Sequence, residues 1–329
     1  DVVTVTAKFH IHGTENEYFL AWTTTPWTLL SNTLLTVHPD VTYVRVKQGD
    51  EIYTLAKDLV SSVLKKEYGE YEILSECKGK ELEYKKYDQL LPFINIEGNC
   101  FFITVDEYVT TGDGTGIVHS SPAFGEDDYR VGRKYDAPIV NPVGDDGKYV
   151  VGPYKGVFVM DADPKIIEYL RENGKLYSKQ KITHNYPHCW RCHSPLIYYS
   201  KPSWYIEVTK FRELMVEKNN EVNWFPEFVG EKRFGNWLEN LNDWAISRSR
   251  YWGTPLNIWI CPDCGHVHAV GSRKELKNSV IENIDENIDL HRPYVDDVHI
   301  KCEHCGGTMQ REKDVIDVWF DSGAMPFAQ

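Results

Sequence analysis

Residues 21–28 read Ala-Trp-Thr-Thr-Thr-Pro-Trp-Thr, a run of hydroxyls and indoles where the chain is predicted to reverse. Thr25-Pro26 can open a helical turn, with threonine as cap and proline in the first position. Further along, 114–119 read Gly-Thr-Gly-Ile-Val-His, a predicted strand ending in His119, with Glu126, Asp127 and Asp128 just beyond. Gly112, Gly114 and Gly116 permit a close backbone approach before that histidine. Thr23, Thr24, Thr25 and Thr28, with Trp22, Trp27, His119 and a carboxylate, contain no lysine or arginine. Such a set suits a small ammonium-bearing molecule, which Asp128 can hold by charge-assisted hydrogen bonds. Each residue also has a plainer reading. Threonine favours strands, and acidic side chains favour helix N-termini.

Around these segments, residues 1–160 read as β-rich. Alternating or β-branched runs occur at 3–11, 18–23, 41–46, 52–55, 101–105 and 115–119. Helices are predicted at 57–68, stopped by Gly69, at 126–135, and at 164–173, with Asp163 as cap and Pro164 in the first position. From 184 to 260 tryptophan and tyrosine become dense, and helices are expected at 209–219 and 232–243. Ser272 and Glu275 predict a capping box for a helix at 273–282. Residues 315–320 read as a buried strand containing Trp319.

With 329 residues, 42% of them hydrophobic, the chain can bury a core in two or three domains. No apolar run is long enough to span a membrane, and no secretory leader is evident, so a cytoplasmic protein is expected. The net charge of −13 argues against duplex binding through phosphates, although Lys232, Arg233, Arg248 and Arg250 leave room for a local basic patch.

Six of the eight cysteines fall in Cys-x-x-Cys pairs. Cys261/Cys264 and Cys302/Cys305 are each followed by glycine, and together they offer four thiolates to one structural Zn2+. Free thiols are the alternative. Cys189/Cys192 has no second pair left in the chain. It reads as half of a zinc site or, with less support from its surroundings, as a redox pair. Cys77 and Cys100 read as ordinary buried or half-buried thiols.

These motifs resemble those of isoleucyl-tRNA synthetases over essentially the whole chain. The resemblance rests on Trp22-Thr-Thr-Thr-Pro-Trp-Thr-Leu29, Gly114-Thr-Gly-Ile-Val-His119, Pro122-Ala-Phe-Gly-Glu-Asp-Asp128, Tyr186-Pro-His-Cys-Trp-Arg-Cys192, Trp244-Ala-Ile-Ser-Arg-Ser-Arg-Tyr-Trp-Gly253 and Asp317-Val-Trp-Phe-Asp-Ser-Gly323. Related valine and leucine enzymes carry arginine where this chain has Thr25, and Leu30 stands where the family often has proline. The family's His-x-Gly-His and Lys-Met-Ser-Lys-Ser motifs are missing, which reads as an internal fragment.

The resemblance implies a β-barrel-like α+β editing domain at 1–180. It implies a return stem and part of a mixed α/β, Rossmann-type catalytic domain at 181–260, a zinc-ribbon insertion at 261–310 and a returning strand at 311–329. It also implies an activity, the hydrolysis of valine misattached to the acceptor end of tRNA(Ile). ATP, Mg2+, isoleucine and valine belong to the ligation reaction of the full-length enzyme, expected to be monomeric. Asp128, His119, Thr24, Thr25 and Thr28 would be the catalytic set, and Trp22, Thr23, Trp27, Gly116 and Trp319 would contact substrate. A non-catalytic, zinc-bearing tRNA-binding module is the alternative.

Overall fold

The computed structural model describes residues 2–183, 186–282, 284–285 and 287–327. Asp1, His184, Asn185, Asn283, Glu286, Ala328 and Gln329 lie outside them, and with them the outermost residues of the first and last expected domains. The chain divides into two compact units after Ser200.

The first unit is built on nine strands: β1 (Val2–His10), β2 (Glu17–Thr23), β3 (Leu34–Val37), β4 (Thr42–Gln48), β5 (Glu51–Ala56), β6 (Tyr71–Lys78), β7 (Phe102–Val105), β8 (Ile117–Ser120) and β9 (Leu176–Ile182). They form one mixed sheet in the order β6-β4-β5-β2-β8-β3-β7, which forks at β2 to add β1 and then β9. The expected α+β organisation is present. β2 is the hub because both of its faces are apolar. Phe19 and Ala21 pack into the main core, while Leu20 joins Val44, Val46 and Leu55 on the other side. Its register against β1 sets Val5 opposite Thr23, Ala7 opposite Ala21 and Phe9 opposite Phe19.

Helix α1 (Val60–Val63) is all that is α-helical of the helix expected at 57–68. Flanking 3-10 turns at Lys57–Leu59 and Lys66–Tyr68 carry the rest. Helix α2 (Glu126–Lys134) lies where it was predicted. Helix α3 (Val159–Glu172) starts five residues earlier than its proline implies, so Pro164 lies inside it and Asp163 is not its cap. The apolar spacing prevails here. Val159, Ala162, Ile166 and Leu170 make one buried face, each side chain worth ~1.5–3 kcal/mol on full burial for the larger residues. The helix closes as expected at Gly174, φ +64°, with Lys175 N–H donating to Leu170 O at 2.7 Å and Gly174 N–H to Arg171 O at 3.2 Å.

Entry into β8 depends on Gly116. Its φ is +73°, a Cβ there would sit 2.4 Å from Ala56 Cβ, and its carbonyl accepts from Tyr43 Oη at 2.6 Å. Gly116→Ala is expected to destabilise the first unit by about 2–4 kcal/mol through strain and overpacking. Urea unfolding followed by far-UV dichroism checks this.

The second unit holds only antiparallel ladders among its described residues, at 205–206/244–245, 247–248/315–316 and 258–260/267–269/308–311/300–301. The parallel sheet expected of a Rossmann-type region is therefore not among them. The helix expected at 209–219 runs Arg212–Asn220 after a 3-10 turn. The one expected at 232–243 is a π-helical turn at Val229–Phe234 followed by Gly235–Glu239. The one expected at 273–282 ends at Ser279, because Val280 leaves it to bridge Ile300. Ser272 Oγ accepts from Glu275 N–H, but the Glu275 carboxylate returns to Gly271 N–H rather than to Ser272.

The strand expected at 315–320 is corrected. Only Val315–Ile316 is extended; Asp317 then caps a helix over Val318–Gly323, accepting from Trp319 N–H at 3.1 Å. Asp317 also takes Trp244 Nε1–H at 3.3 Å and the Arg248 guanidinium. A carboxylate with so many donors at a cap outweighs the apolar run that follows it. No helix among the described residues is long and apolar enough to cross a membrane.

Candidate functional site

β2 delivers Thr23 to a 3-10 helix at Pro26–Ser31, with Pro26 in its first position and Thr25 before it. Thr25 caps through its backbone rather than its hydroxyl, because its carbonyl accepts from Thr28 N–H at 3.0 Å. The hydroxyls form a chain instead. Thr23 Oγ1 accepts from Thr25 N–H at 3.1 Å, and Thr25 Oγ1 lies 3.3 Å from both Thr23 Oγ1 and Thr28 Oγ1. Thr23 and Thr28 are buried, while Thr24 and Thr25 are half-buried and line a cavity of about 680 Å³.

β3 and β8 pair antiparallel and bring His119 beneath this turn. Its ring is locked. Tyr87 Oη donates to Asn32 Oδ1 at 2.7 Å, which turns the Asn32 amide nitrogen toward Leu34 O and His119 Nδ1, both at 2.8 Å. Nδ1 is thus the acceptor, and Nε2 carries the proton that it donates to Thr28 Oγ1 at 2.9 Å. Thr28 in turn donates to Thr25 O at 2.9 Å. Burial pulls His119 down to about 3, so the ring is neutral. With both nitrogens committed and the Thr28 proton directed away, this pair is not a base and its activated nucleophile.

Asp128 stands in the first turn of α2. Oδ2 accepts from Ser121 N–H at 3.0 Å and Oδ1 from Tyr108 Oη at 3.3 Å. Burial pushes its carboxyl up to about 6. A polar relay joins it to the threonine turn. Ser121 Oγ and Ser31 Oγ are 2.8 Å apart, and Ser31 Oγ donates to Thr28 O at 3.1 Å. Among the described residues no lysine or arginine pairs with it, which leaves it able to meet a cation supplied by a ligand.

The remaining candidates are placed differently. Trp22 lies in β2 opposite Thr6 and Val118, over Gly114. Trp27 is buried against Phe124, with its carbonyl held by Tyr149 Oη at 2.6 Å. Gly116 packs on Ala56. Trp319 belongs to the second unit, 73% exposed on its short helix, and borders a separate apolar cavity of about 1060 Å³ with Trp224, Trp237 and Trp244. Sequence reading missed Ser31, Asn32, Tyr87, Tyr108 and Ser121. The i, i+3 spacing of Thr28 and Ser31 in a turn opened by Pro26 is a signal that could have found one of them.

The sulfurs of Cys261, Cys264, Cys302 and Cys305 lie within 4.8 Å of one another, with Cys261–Cys305 at 3.5 Å and Cys264–Cys302 at 3.7 Å. A tetrahedral ion with metal–sulfur bonds near 2.3 Å needs sulfurs about 3.8 Å apart. The donors therefore fit a four-coordinate metal, and Gly265 and Gly306, at φ +72° and +76°, allow the two tight turns. Cys189 and Cys192 form a similar turn, with His193 N–H donating to Cys189 O at 2.8 Å, but the described residues supply no further ligands to it.

A family described as tRNA synthetases class I (I, L, M and V) matches residues 8–329, and the chain belongs to it. Within that class it is similar to the isoleucine–tRNA ligase of Clostridium novyi (strain NT), 52% identical over 333 residues that cover 100% of this chain and 32% of that protein. It is also similar to the isoleucine–tRNA ligase of Bacillus thuringiensis (strain Al Hakam), 47% identical over 329 residues, 99% of this chain and 32% of that one. The chain thus spans about a third of the length of these relatives. Among solved structures, the editing domain of the P. knowlesi cytosolic leucyl-tRNA synthetase aligns with 55% of this chain and 97% of its own, at 14% identity and a TM-score of 0.42.

Proposed function

We propose that the first unit is the editing site of an isoleucine–tRNA ligase and hydrolyses valine from misacylated tRNA(Ile). The observation that carries this reading is a carboxylate, Asp128, with no cationic partner among the described residues, linked through Ser121 and Ser31 to a turn of interlinked threonine hydroxyls walled by an immobilised histidine. Asp128 binds the α-ammonium of the amino acid. Thr24 and Thr25 hold the terminal adenosine and the attacking water, and Thr28 fixes His119. Trp22, Thr23, Trp27 and Gly116 shape the slot. Water adds to the ester carbonyl, the acyl–oxygen bond breaks, and the ribose oxygen takes a proton, releasing valine.

The need for such a site is energetic. One methylene in an apolar pocket is worth only about 1–3 kcal/mol, a magnitude already known from isoleucine enzymes themselves. A second site that rejects the larger ester by size multiplies the discrimination. His119 suits that role because a ring held at both nitrogens cannot swing aside.

The four-cysteine cluster holds Zn2+ as a structural ion within a ribbon at 261–310, and Cys189/Cys192 is half of a second such site. The editing unit closes near residue 180, before the return stem. ATP- and Mg2+-dependent ligation, in which Trp319 would border the isoleucine pocket, lies with motifs this sequence does not contain. We place the whole enzyme in the cytoplasm as a monomer.

The test is hydrolysis of pre-formed valyl-tRNA(Ile) against isoleucyl-tRNA(Ile) by this chain without ATP. Selective loss of the valyl ester is expected, and equal rates would refute the reading. His119→Ala is expected to admit the isoleucyl ester, raising its hydrolysis at least tenfold. Unchanged discrimination would remove the histidine from the sieve.

A further inference from the structure

A row of hydroxyls runs through the sheet to Asp128 and has no part in the chemistry above. Thr104 Oγ1 and Thr36 Oγ1 are 2.9 Å apart, Thr36 Oγ1 and Ser120 Oγ 2.8 Å, and Ser120 Oγ and Tyr108 Oη 3.4 Å. The first three come from β7, β3 and β8, and the pairing of β3 with both neighbours lines them up. All three are 0% exposed. Hydroxyls so deep in a sheet are costly unless each is answered. One end of the row meets Leu35 O, 3.3 Å from Thr104 Oγ1, and the other meets Asp128 Oδ1, 3.3 Å from Tyr108 Oη. Tyr108 is itself clamped in the β7–β8 loop. Asp106 Oδ1 accepts from its N–H at 3.2 Å, and Arg130 of α2 donates to both Asp106 oxygens at 2.8 Å, with its guanidinium 6.0 Å from the Tyr108 ring.

We infer that Tyr108 is a positioning residue for ester hydrolysis, the last donor of this row, which fixes the Asp128 carboxylate to meet the ammonium. The inference rests on the editing reading, because it concerns the carboxylate which that reading gives to the amino acid. Each hydroxyl has one proton, so the row has two senses. With Asp128 ionised, all the protons run toward it: Thr104 donates to Thr36, Thr36 to Ser120, Ser120 to Tyr108, and Tyr108 to Oδ1. When Oδ1 takes a proton from solvent, it donates to Tyr108 Oη, and every link reverses until Thr104 donates to Leu35 O. The row answers either charge state, and in the first sense each link strengthens the next. Tyr108 on Oδ1 and Ser121 N–H on Oδ2 fill two of the carboxylate's roughly four lone-pair positions and leave the others for the ammonium. Burial and the Asp128 charge raise the Tyr108 phenol well above its usual range, so it stays a donor. Burial pushes Asp128 up to about 6 and Asp127 adds to the rise, while the Ser121 amide and the Tyr108 and Ser120 hydroxyls oppose it. The other charged or titratable groups nearby are Asp106 and Arg130, paired with each other, and the neutral His119 on β8.

The experiment is single-turnover hydrolysis of valyl-tRNA(Ile) by this chain between pH 5 and pH 9, paired with a carbon-13 NMR titration of the Asp128 carboxyl without tRNA, assigned with Asp128→Asn. Tyr108→Phe keeps the ring and removes the donor. A donor to the charged form holds a carboxyl down, so its loss is expected to raise the midpoint by about one pH unit in both measurements, from about 6 toward about 7. Hydrolysis by the variant should fall about fivefold at pH 6 and stay within about twofold of the parent at pH 8.5, since the substrate's own amine titrates alike in both. If the parent hydrolyses the valyl ester selectively and either midpoint is unmoved in Tyr108→Phe, the inference alone falls; a loss uniform across pH is that case, a hydroxyl serving only the fold. If the parent shows no selective hydrolysis, the editing reading falls and takes the inference with it. Should Tyr108→Phe not fold, Thr36→Val, which cuts the row two links back, decides by the same titration. A rise of about 0.3 pH unit is expected there, and no rise would overturn the inference.

Discussion

Asp128→Asn is expected to cost about 10²–10³-fold in hydrolysis of valyl-tRNA(Ile) while making the first unit more stable. The two effects share one cause. The carboxyl is pushed up to about 6 by burial, so above that pH the folded protein holds a desolvated charge without a counter-ion. When the ammonium of the substrate arrives it supplies that counter-ion, and truncating one partner of a buried pair costs about 3–5 kcal/mol. Without substrate the charge is a liability. A carboxyl raised in the folded state adds stability that is full below its unfolded value near 3.8 and is lost as pH rises through about 6. At pH 8 the asparagine variant avoids that loss. A gain of about 1–2 kcal/mol, or roughly 2–5 °C, is expected after allowing for partial exposure. Parent hydrolysis should likewise fall as pH drops through about 6, as the ammonium loses its partner. Single-turnover deacylation and thermal melts at pH 5 and pH 8 check these outcomes. A variant with full activity would remove Asp128 from ammonium binding, and one with a lower melting point at pH 8 would show that its charge is already paired.

Metal removal should be as damaging to the second unit as Asp128→Asn is to hydrolysis. On the proposed assignment the four cysteines tie together a ribbon whose buried core is small, with Trp259, Val270, Leu276, Val295, Val298, Ile300 and Met309 packed around Cys261 and Cys302. So few apolar residues do not hold a fold by themselves, and a structural zinc ion supplies on the order of 10 kcal/mol. Chelation, or Cys302→Ser, is expected to unfold residues 258–311 and leave the first unit's hydrolysis site in place. Trp259 reports the change. It is 2% exposed and its indole N–H donates to Val298 O at 2.8 Å, so its emission should shift to the red. The intact chain should carry one zinc by elemental analysis. A chain that is fully folded and metal-free would end the assignment.

The threonine turn, His119, Asp128 and the cysteine pairs were legible because unusual residue types stood at telling spacings. What escaped had no local signature. β3 is Leu34-Leu-Thr-Val37, four buried residues without alternation between a wet and a dry face. Asn32 and Tyr87 fix the tautomer of His119, but they lie 87 and 55 residues from their partners, and only the folded sheet brings them together. Pro164 misled because proline favours the first turn of a helix, whereas here the buried face of Val159, Ala162, Ile166 and Leu170 outweighs the backbone bond that an interior proline forgoes. Trp319 misled because an apolar run after an aspartate can be a capped helix as readily as a strand, and the capping bond to Asp317 decides it.

The fork at β2 bears on how finely the site can measure. A sieve that separates two esters by one methylene works only if its wall yields by less than the width of that group. The strand carrying the threonine turn is hydrogen-bonded along both edges, to β1 on one side and to β5 and β8 on the other. Its amides should exchange with solvent only on global opening of the unit, whereas those of the largely exposed outer strand β6 exchange by fraying. On the proposed reading the gauge is thus mounted on a strand held along both edges, and error in proofreading becomes a question of stiffness as much as of shape.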